Sequence, residues 1–505
     1  MKPNIIIITT DQQRKDSLGC YGSSFVRTPN IDRLAGGGVV FERAYCANPV
    51  CTPSRATIHG GRYLRRHGAW NVGMNVPEDE VFITHRMKDR GYRTHLVGKA
   101  HFNAFGGTNE QSAESIKEWK KRYPGFRGPY YGFDTMEIAM GHTTYGVTGH
   151  YGAQVAARYG EDFAGSLEVR RKSGRVFGGE AYEWDFPLEM GNSLWTAERT
   201  VAFLEDAAEK DQPFVLSVGF QDPHHPHVLP SEYAQSIDPS KIPLPHYTEG
   251  ELDDKPEHFR LAREGRLADS RYRGEYPVAG QGDIRQEQNY VDVPEEDVRR
   301  GRAHYYGLVE LIDRGMGMIL DALDRLGLAD NTIVVFTTDH GELLGDHGLW
   351  LKGPFHYEQL INVPLIIRWP GRFPAGSRTD AIASLADIVP TILAQCGMEV
   401  PAELDGVDLS DCIAGSGAPA RDHALVELTD DPARLRLKTI VTDRYKLTCY
   451  HGESFGELYD LKDDPWEEKN LWDAERTKDV KIGLLLRLID GFESMERRAP
   501  RYCYA

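Results

Sequence analysis

Asn4-Ile5-Ile6-Ile7-Ile8-Thr9 is a continuous, β-branched apolar run that ends just before Asp11. It shows no alternation of apolar and polar residues, so both of its faces need cover, as in a central parallel strand packed between helices. Thr332-Ile333-Val334-Val335-Phe336-Thr337-Thr338 has the same character and leads into Asp339, His340 and Gly341. Thr94-His95-Leu96-Val97 is a shorter strand delivering Lys99 and His101, and Phe214 to Phe220 delivers Asp222 and His224. Open α/β sheets bind ligands outside the carboxyl ends of their strands, so these four polar sets are expected to share one site.

Helices fill the intervals. Glu198 to Ala208 precedes one strand, and roughly Arg299 to Leu326 precedes another, with Leu308, Leu311, Ile312, Met316, Ile319, Leu320 and Leu323 at helical spacing. Asp387 to Leu393 reads as a further helix. The pattern predicts an α/β fold with a large, mostly parallel central sheet flanked by helices, forming a catalytic domain over residues 1–400. Residues from about 240 to 300 are rich in charge, Pro and Gly and read as an insertion, either a solvated excursion or a substrate lid. A Pro- and Gly-rich linker at 400–420 leads to a smaller C-terminal α+β domain, 420–505. There Leu435 to Val441, Lys446 to Tyr450 and Glu457 to Asp460 form a short antiparallel sheet, followed by a helix from Val480 to Met495.

Of the 505 residues 40% are hydrophobic and 27% charged, the balance of a globular chain. A net charge of -17 opposes binding to nucleic acid or to an anionic membrane, though a local basic cluster could still hold a small anion. The seven cysteines show no metal-binding spacing, and the early apolar run is too short for a leader or a span, so a cytoplasmic enzyme is expected.

The most informative segment is Cys51-Thr52-Pro53-Ser54-Arg55, followed by Gly60. Thr52 is expected to cap a helix whose first residue is Pro53, leaving Cys51 beside backbone N–H groups that attract an anion. Taken alone, Cys51 better suits a buried cysteine before an ordinary helix. The whole segment, however, resembles the sulfatase signature C-x-P-S-R-x(4)-G, and Gly91-Tyr-Arg-Thr-His-Leu-Val-Gly-Lys-Ala-His101 resembles that family's second signature, G-Y-x-T-x(3)-G-K-x-H. Asp11-Gln12, His224 with Pro226, Asp339-His340-Gly341 and Lys352 extend the resemblance over most of the chain. The sequence is thereby identified as a member of the formylglycine-dependent sulfatases, with an alkaline phosphatase-like fold.

That resemblance implies a set of roles. Cys51, oxidised by a separate formylglycine-generating enzyme to 3-oxoalanine (formylglycine), would supply as its hydrate the nucleophile that attacks a small sulfated substrate. Asp11, Gln12, Asp339, His340 and residue 51 would hold one divalent metal ion. Ca²⁺ is the expected ion; the hard oxygen ligands also suit Mg²⁺, and the imidazole admits Mn²⁺ or Zn²⁺. Gln12 and His340 stand where many sulfatases carry Asp and Asn. Arg55 and Lys99 would steady the nucleophile and sulfate, His224 or Lys352 would protonate the leaving group, and His101 would act as a base. Within Asp222-Pro-His224-His225-Pro-His227, His225 and His227 are expected in the pocket wall or on the surface. Asn71, His142, Tyr145 and His356 adjoin the motifs and could line the pocket.

Two other readings stay open. A phosphonate monoester or phosphodiester hydrolase shares the fold and the formylglycine, but such enzymes tend to replace the Lys-x-His pair that Lys99 and His101 form here. A silent protein that binds sulfated ligands would keep Cys51 as a thiol. The aromatic, basic end Arg497 to Ala505 could dock on a neighbouring subunit, and a homodimer or homotetramer is expected.

Overall fold

The computed structural model describes residues 2–105, 112–141, 148–161, 181–184, 186–234, 237–267, 270–272, 291–417, 419–430 and 434–496. The strands in chain order are β1 (Asn4–Thr10), β2 (Val39–Tyr45), β3 (Arg93–Gly98), β4 (Thr135–Met140), β5 (Ala181–Trp184), β6 (Phe214–Gly219) and β7 (His227–Pro230). They continue with β8 (Thr332–Thr338), β9 (Asn362–Arg368), β10 (Ser377–Ser384), β11 (Ala424–Asp430), β12 (Leu435–Val441), β13 (Tyr445–Tyr450) and β14 (Gly456–Asp460).

Eight of these strands form one sheet in the order β10-β2-β9-β8-β1-β6-β3-β4. All neighbours run parallel except β9, which is antiparallel to both β8 and β2. The four isoleucines of β1 are fully buried and divide by the two-residue strand period. Ile5 and Ile7 enter the core layer that also holds Val335, Leu360 and Leu393, while Ile6 and Ile8 enter the opposite layer with Phe336, Ile319 and Leu320. Helices thus cover both faces, as the unbroken apolar run requires.

The predicted helices are present with longer bounds, Asn192–Ala208 and Glu295–Arg325, and they pack against each other. Glu295, Glu296 and Asp297 in the first turn of the longer helix match the positive end of its dipole. Where β3 leaves the sheet, a Cβ on Gly219 would stand 2.0 Å from the Lys99 carbonyl oxygen, so only glycine lets the chain carrying Lys99 pass.

The C-terminal sheet is antiparallel, in the order β11-β12-β13-β14. Leu425, Ile440, Leu447 and Leu458 meet Leu484, Leu488 and Phe492 of the helix Lys478–Ser494 on one face. Val426, Leu428, Leu437 and Val441 face the other way, into the core beneath the large sheet. Strand β11 escaped the sequence reading because Ala424-Leu-Val-Glu-Leu-Thr-Asp430 follows the linker without a turn signal. The described part of the charged insertion is also no solvated excursion. Leu252, Phe259, Leu261 and Leu267 are buried in the main core, and the helix Glu257–Arg263 places His258 against Phe355. Its apolar residues were too few to show a period among so many charges. Among the described residues no helix is long and apolar enough to cross a membrane.

Candidate active site

At the carboxyl ends of β1, β3, β6 and β8, Asp11, Lys99, His224, Asp339 and His340 gather around Lys352 and the start of the helix Cys51–Gly60, whereas the Asp222 carboxylate accepts from Ser193 Oγ at 2.6 Å. Cys51 is the first residue of that helix, not the residue before a cap. Val50 takes the extended N-cap conformation (φ -133°, ψ 141°), and the first helical bond runs from Ser54 N to the Val50 carbonyl at 3.1 Å. Thr52 therefore lies inside the first turn and caps nothing. Its Oγ1 is buried without a hydrogen-bond partner among the described residues. The early amides of Cys51 and Thr52 still precede the helical ladder, which leaves the anion-attracting end of the helix at residue 51.

Cys51 is 1% exposed. Its Sγ lies 3.1 Å from Lys352 Nζ, 3.4 Å from His340 Nε2 and 3.6 Å from Asp11 Oδ1. Burial, then the Asp11 charge, pushes the Cys51 thiol up. An unmodified thiol here stays protonated and is a poor nucleophile.

Asp11 and Asp339 are fully buried, and each is held by a cation through its outer oxygen. Arg55 donates from Nε to Asp339 Oδ2 at 2.8 Å and from Nη2 to Asp11 Oδ2 at 3.3 Å, while the Lys99 ammonium pairs with Asp11 Oδ2. Burial alone would raise Asp11, but Lys99, Arg55, Lys352 and His340 together hold it well below the usual carboxylate range. The Oδ1 atoms face inward. Asp339 Oδ1 accepts from Gln12 N at 3.0 Å and from His340 N at 2.9 Å. Burial, then Lys352, depresses His340 to about 4, so its imidazole is neutral at neutral pH.

Asp11, Cys51, Asp339 and His340 each offer one ligand atom, all within 4.8 Å of one another. Two carboxylates with one imidazole form a donor set that suits a hard or borderline divalent cation, so the residues present fit a metal. Gln12, at φ 63°, adds Oε1 close by, 3.0 Å from Lys352 Nζ. Lys352 Nζ also stands 3.2 Å from His224 Nε2 and 3.1 Å from His340 Nε2. Arg55, Lys99 and Lys352 bring positive charge to this cleft, enough to hold a small anion locally although the chain as a whole is acidic.

His101 follows Lys99 on a turn with φ 58°, its ring packed on Phe105 with centroids 4.2 Å apart. Glu114 fixes that turn by accepting from the amides of His101 (2.7 Å), Phe102 (2.7 Å) and Asn103 (2.9 Å). His225 stacks on His224 at 4.0 Å and places Nδ1 3.3 Å from Gln12 Nε2. It belongs to the wall of the site, whereas His227 is buried within β7 and is not on the surface. His356 turns to the C-terminal sheet, with Nδ1 2.7 Å from Thr439 Oγ1, and Asn71 donates to the Thr429 carbonyl at 3.2 Å. His142, Tyr145 and the end Arg497 to Ala505 lie outside the described residues. Glu342 and Glu114 were missed; each has other acids close by in the chain, and nothing in the sequence shows that it binds backbone amides.

Comparison with known proteins agrees with this geometry. Residues 3–398 match the sulfatase family, and residues 345–493 match the C-terminal region described as N-sulphoglucosamine sulphohydrolase, C-terminal. The chain is 28% identical over 492 residues to the uncharacterized sulfatase YidJ of Escherichia coli K12, covering 97% of this chain and 87% of that one. It is 27% identical over 519 residues to an arylsulfatase of Clostridium perfringens, covering 98% and 95%. Among solved structures, a phosphonate monoester hydrolase of Agrobacterium radiobacter superposes with a TM-score of 0.78 at 25% identity, covering 98% and 96%. The chain belongs to the sulfatase family, in the alkaline phosphatase superfamily, and is a sulfuric ester hydrolase.

Proposed function

We propose that the protein cleaves a sulfate monoester of an aryl, alkyl or sugar alcohol, using formylglycine made from Cys51 by a separate maturing enzyme and one divalent ion, Ca²⁺. The carrying observation is the contact of residue 51 with the Asp11, Asp339 and His340 cluster at a helix N-terminus. Hydrated formylglycine would supply the attacking oxygen, and a bound ion would offset charge on the sulfuryl oxygens and make that oxygen more acidic.

The remaining work falls to side chains of this chain. Asp11, Asp339, His340 and Gln12 would hold the ion. Arg55 is locked between both carboxylates, so it fixes their inner oxygens as well as adding positive charge. Lys99 lies beside Asp11, where it orients the substrate sulfate. Lys352 and His224, 3.2 Å apart, share the proton delivered to the leaving oxygen. His101 takes up the proton on release of sulfate. We take residues 1–400 as the catalytic domain and 420–505 as a small domain docked on it.

The test is a panel of sulfate esters, phosphodiesters and phosphonates, assayed with and without chelator on the matured protein. Sulfate esters should be the best substrates, with activity lost on chelation. Cleavage of phosphoryl substrates alone would contradict the assignment and favour the phosphonate hydrolase reading, whose solved relative shares the fold.

A further inference from the structure

Glu342 is a fully buried carboxylate two residues past His340, and no motif accounts for it. Its Oε1 accepts from the amide of Leu344 at 2.9 Å and from the amide of Leu351. Its Oε2 accepts from Nε2 of Gln12. Arg14 clamps the same turn, donating to the carbonyls of Glu342 at 3.2 Å and Leu343 at 2.9 Å. Leu351 stands at φ 64°, a left-handed conformation costly for a branched side chain, and it immediately precedes Lys352. One carboxylate therefore ties the Gln12 side chain to the strap that carries Lys352.

The two ends of a glutamine amide have the same shape but opposite polarity, and only their partners decide which way it points. For Gln12 the partners are Glu342 and, at 3.3 Å, His225 Nδ1 on the Nε2 side, and Lys352 on the Oε1 side. Glu342 Oε2 accepts from the NH₂ group, while the Lys352 ammonium can only donate, so it draws Oε1, at 3.0 Å. The Gln12 backbone cannot swing to compensate. Its N–H donates to Asp339 Oδ1 at 3.0 Å, and its carbonyl accepts from Tyr305 OH at 2.9 Å.

We propose that Glu342 is a positioning residue that sets the polarity of the Gln12 amide, so that a carbonyl oxygen and not an NH₂ group faces the cation side of the site. The inference rests on the reading of Gln12 as a metal ligand. Outer partners of this kind are worth about 10- to 100-fold in metal affinity.

The experiment is a cycle of Glu342→Gln, Gln12→Glu and the double variant in the full chain, with Ca²⁺ titrated into chelator-stripped protein by calorimetry and thermal unfolding as the control. Glu342→Gln still accepts the Leu344 and Leu351 amides but turns its own NH₂ toward Gln12, which must flip. Gln12→Glu instead sets two carboxylates against each other. Each single variant should bind Ca²⁺ about 10- to 100-fold more weakly than wild type. The double variant restores a donor facing an acceptor and should recover to within about threefold of wild type, or better.

Recovery would support the proposal even if Glu342→Gln alone did not fold. Wild-type affinity in Glu342→Gln, or a double variant that fails to fold or binds no better than the weaker single variant, would overturn it. Failure of the wild type to bind any divalent cation would remove the metal reading itself, a result distinct from the other two.

Discussion

Lys352 Nζ lies 3.1 Å from Cys51 Sγ, although 301 residues separate the two. The same ammonium touches Gln12, His224 and His340, so it reaches the nucleophile position, a metal-ligand candidate and the proton-transfer histidine together.

Replacement of Lys352 by Met keeps the stem and removes the charge. Turnover should fall by about 10²- to 10⁴-fold for esters of unactivated alcohols and much less for activated aryl sulfates, whose leaving groups need little protonation. The check is kcat measured across leaving groups of graded acidity; an equal loss for all of them would place Lys352 elsewhere in the mechanism.

Asp339→Asn should abolish turnover and metal binding while the chain stays folded, because Arg55 keeps its bond to Asp11. Wild-type protein in Ca²⁺ at about 100 times Kd should gain about 2.7 kcal/mol over the chelated form, and the variant should gain nothing. Thermal unfolding with and without chelator measures both.

His258 is fully buried against Phe355, with Nε2 3.1 Å from the Pro354 carbonyl, and burial depresses it to about 3. Unfolded histidine takes its proton near 6.5, so between pH 6.5 and 3 the unfolded chain holds one more proton than the folded one at this position. Stability is therefore lost as pH falls through that window. His258→Gln should make the slope of unfolding free energy against pH shallower by about 1.4 kcal/mol per pH unit near pH 5. Denaturant unfolding at a series of pH values gives the slope.

Glu114 is buried and accepts three consecutive amides and the Tyr130 hydroxyl, the last at 2.6 Å. Glu114→Ala strands those donors and should cost about 3 kcal/mol or more. It should also lower kcat by releasing the His101 turn. A stable variant with unchanged kcat would show that the turn holds itself.

Much of the fold and the centre of the site were legible in the sequence, because a strand buried on both faces leaves an unbroken apolar run and the acids stand directly after it. The Ile5 to Ile8 run could be read for that reason. Strand β9 was not, since Asn362-Val-Pro-Leu-Ile-Ile-Arg368 carries a proline and gives no sign that it runs antiparallel. The cap at Thr52 was misread because residue type alone cannot show that Val50 already holds the extended conformation. Glu342 and Glu114 act on backbone amides distant in sequence or on a local turn, and such work leaves no periodic trace.

The central claim is that residue 51 carries an oxidised side chain. Its most direct test is the mass of the peptide spanning Cys51, taken from protein made together with a formylglycine-generating enzyme. A loss of about 18 Da relative to the thiol form is the expected result. An unmodified mass in protein that still hydrolyses sulfate esters would contradict the account.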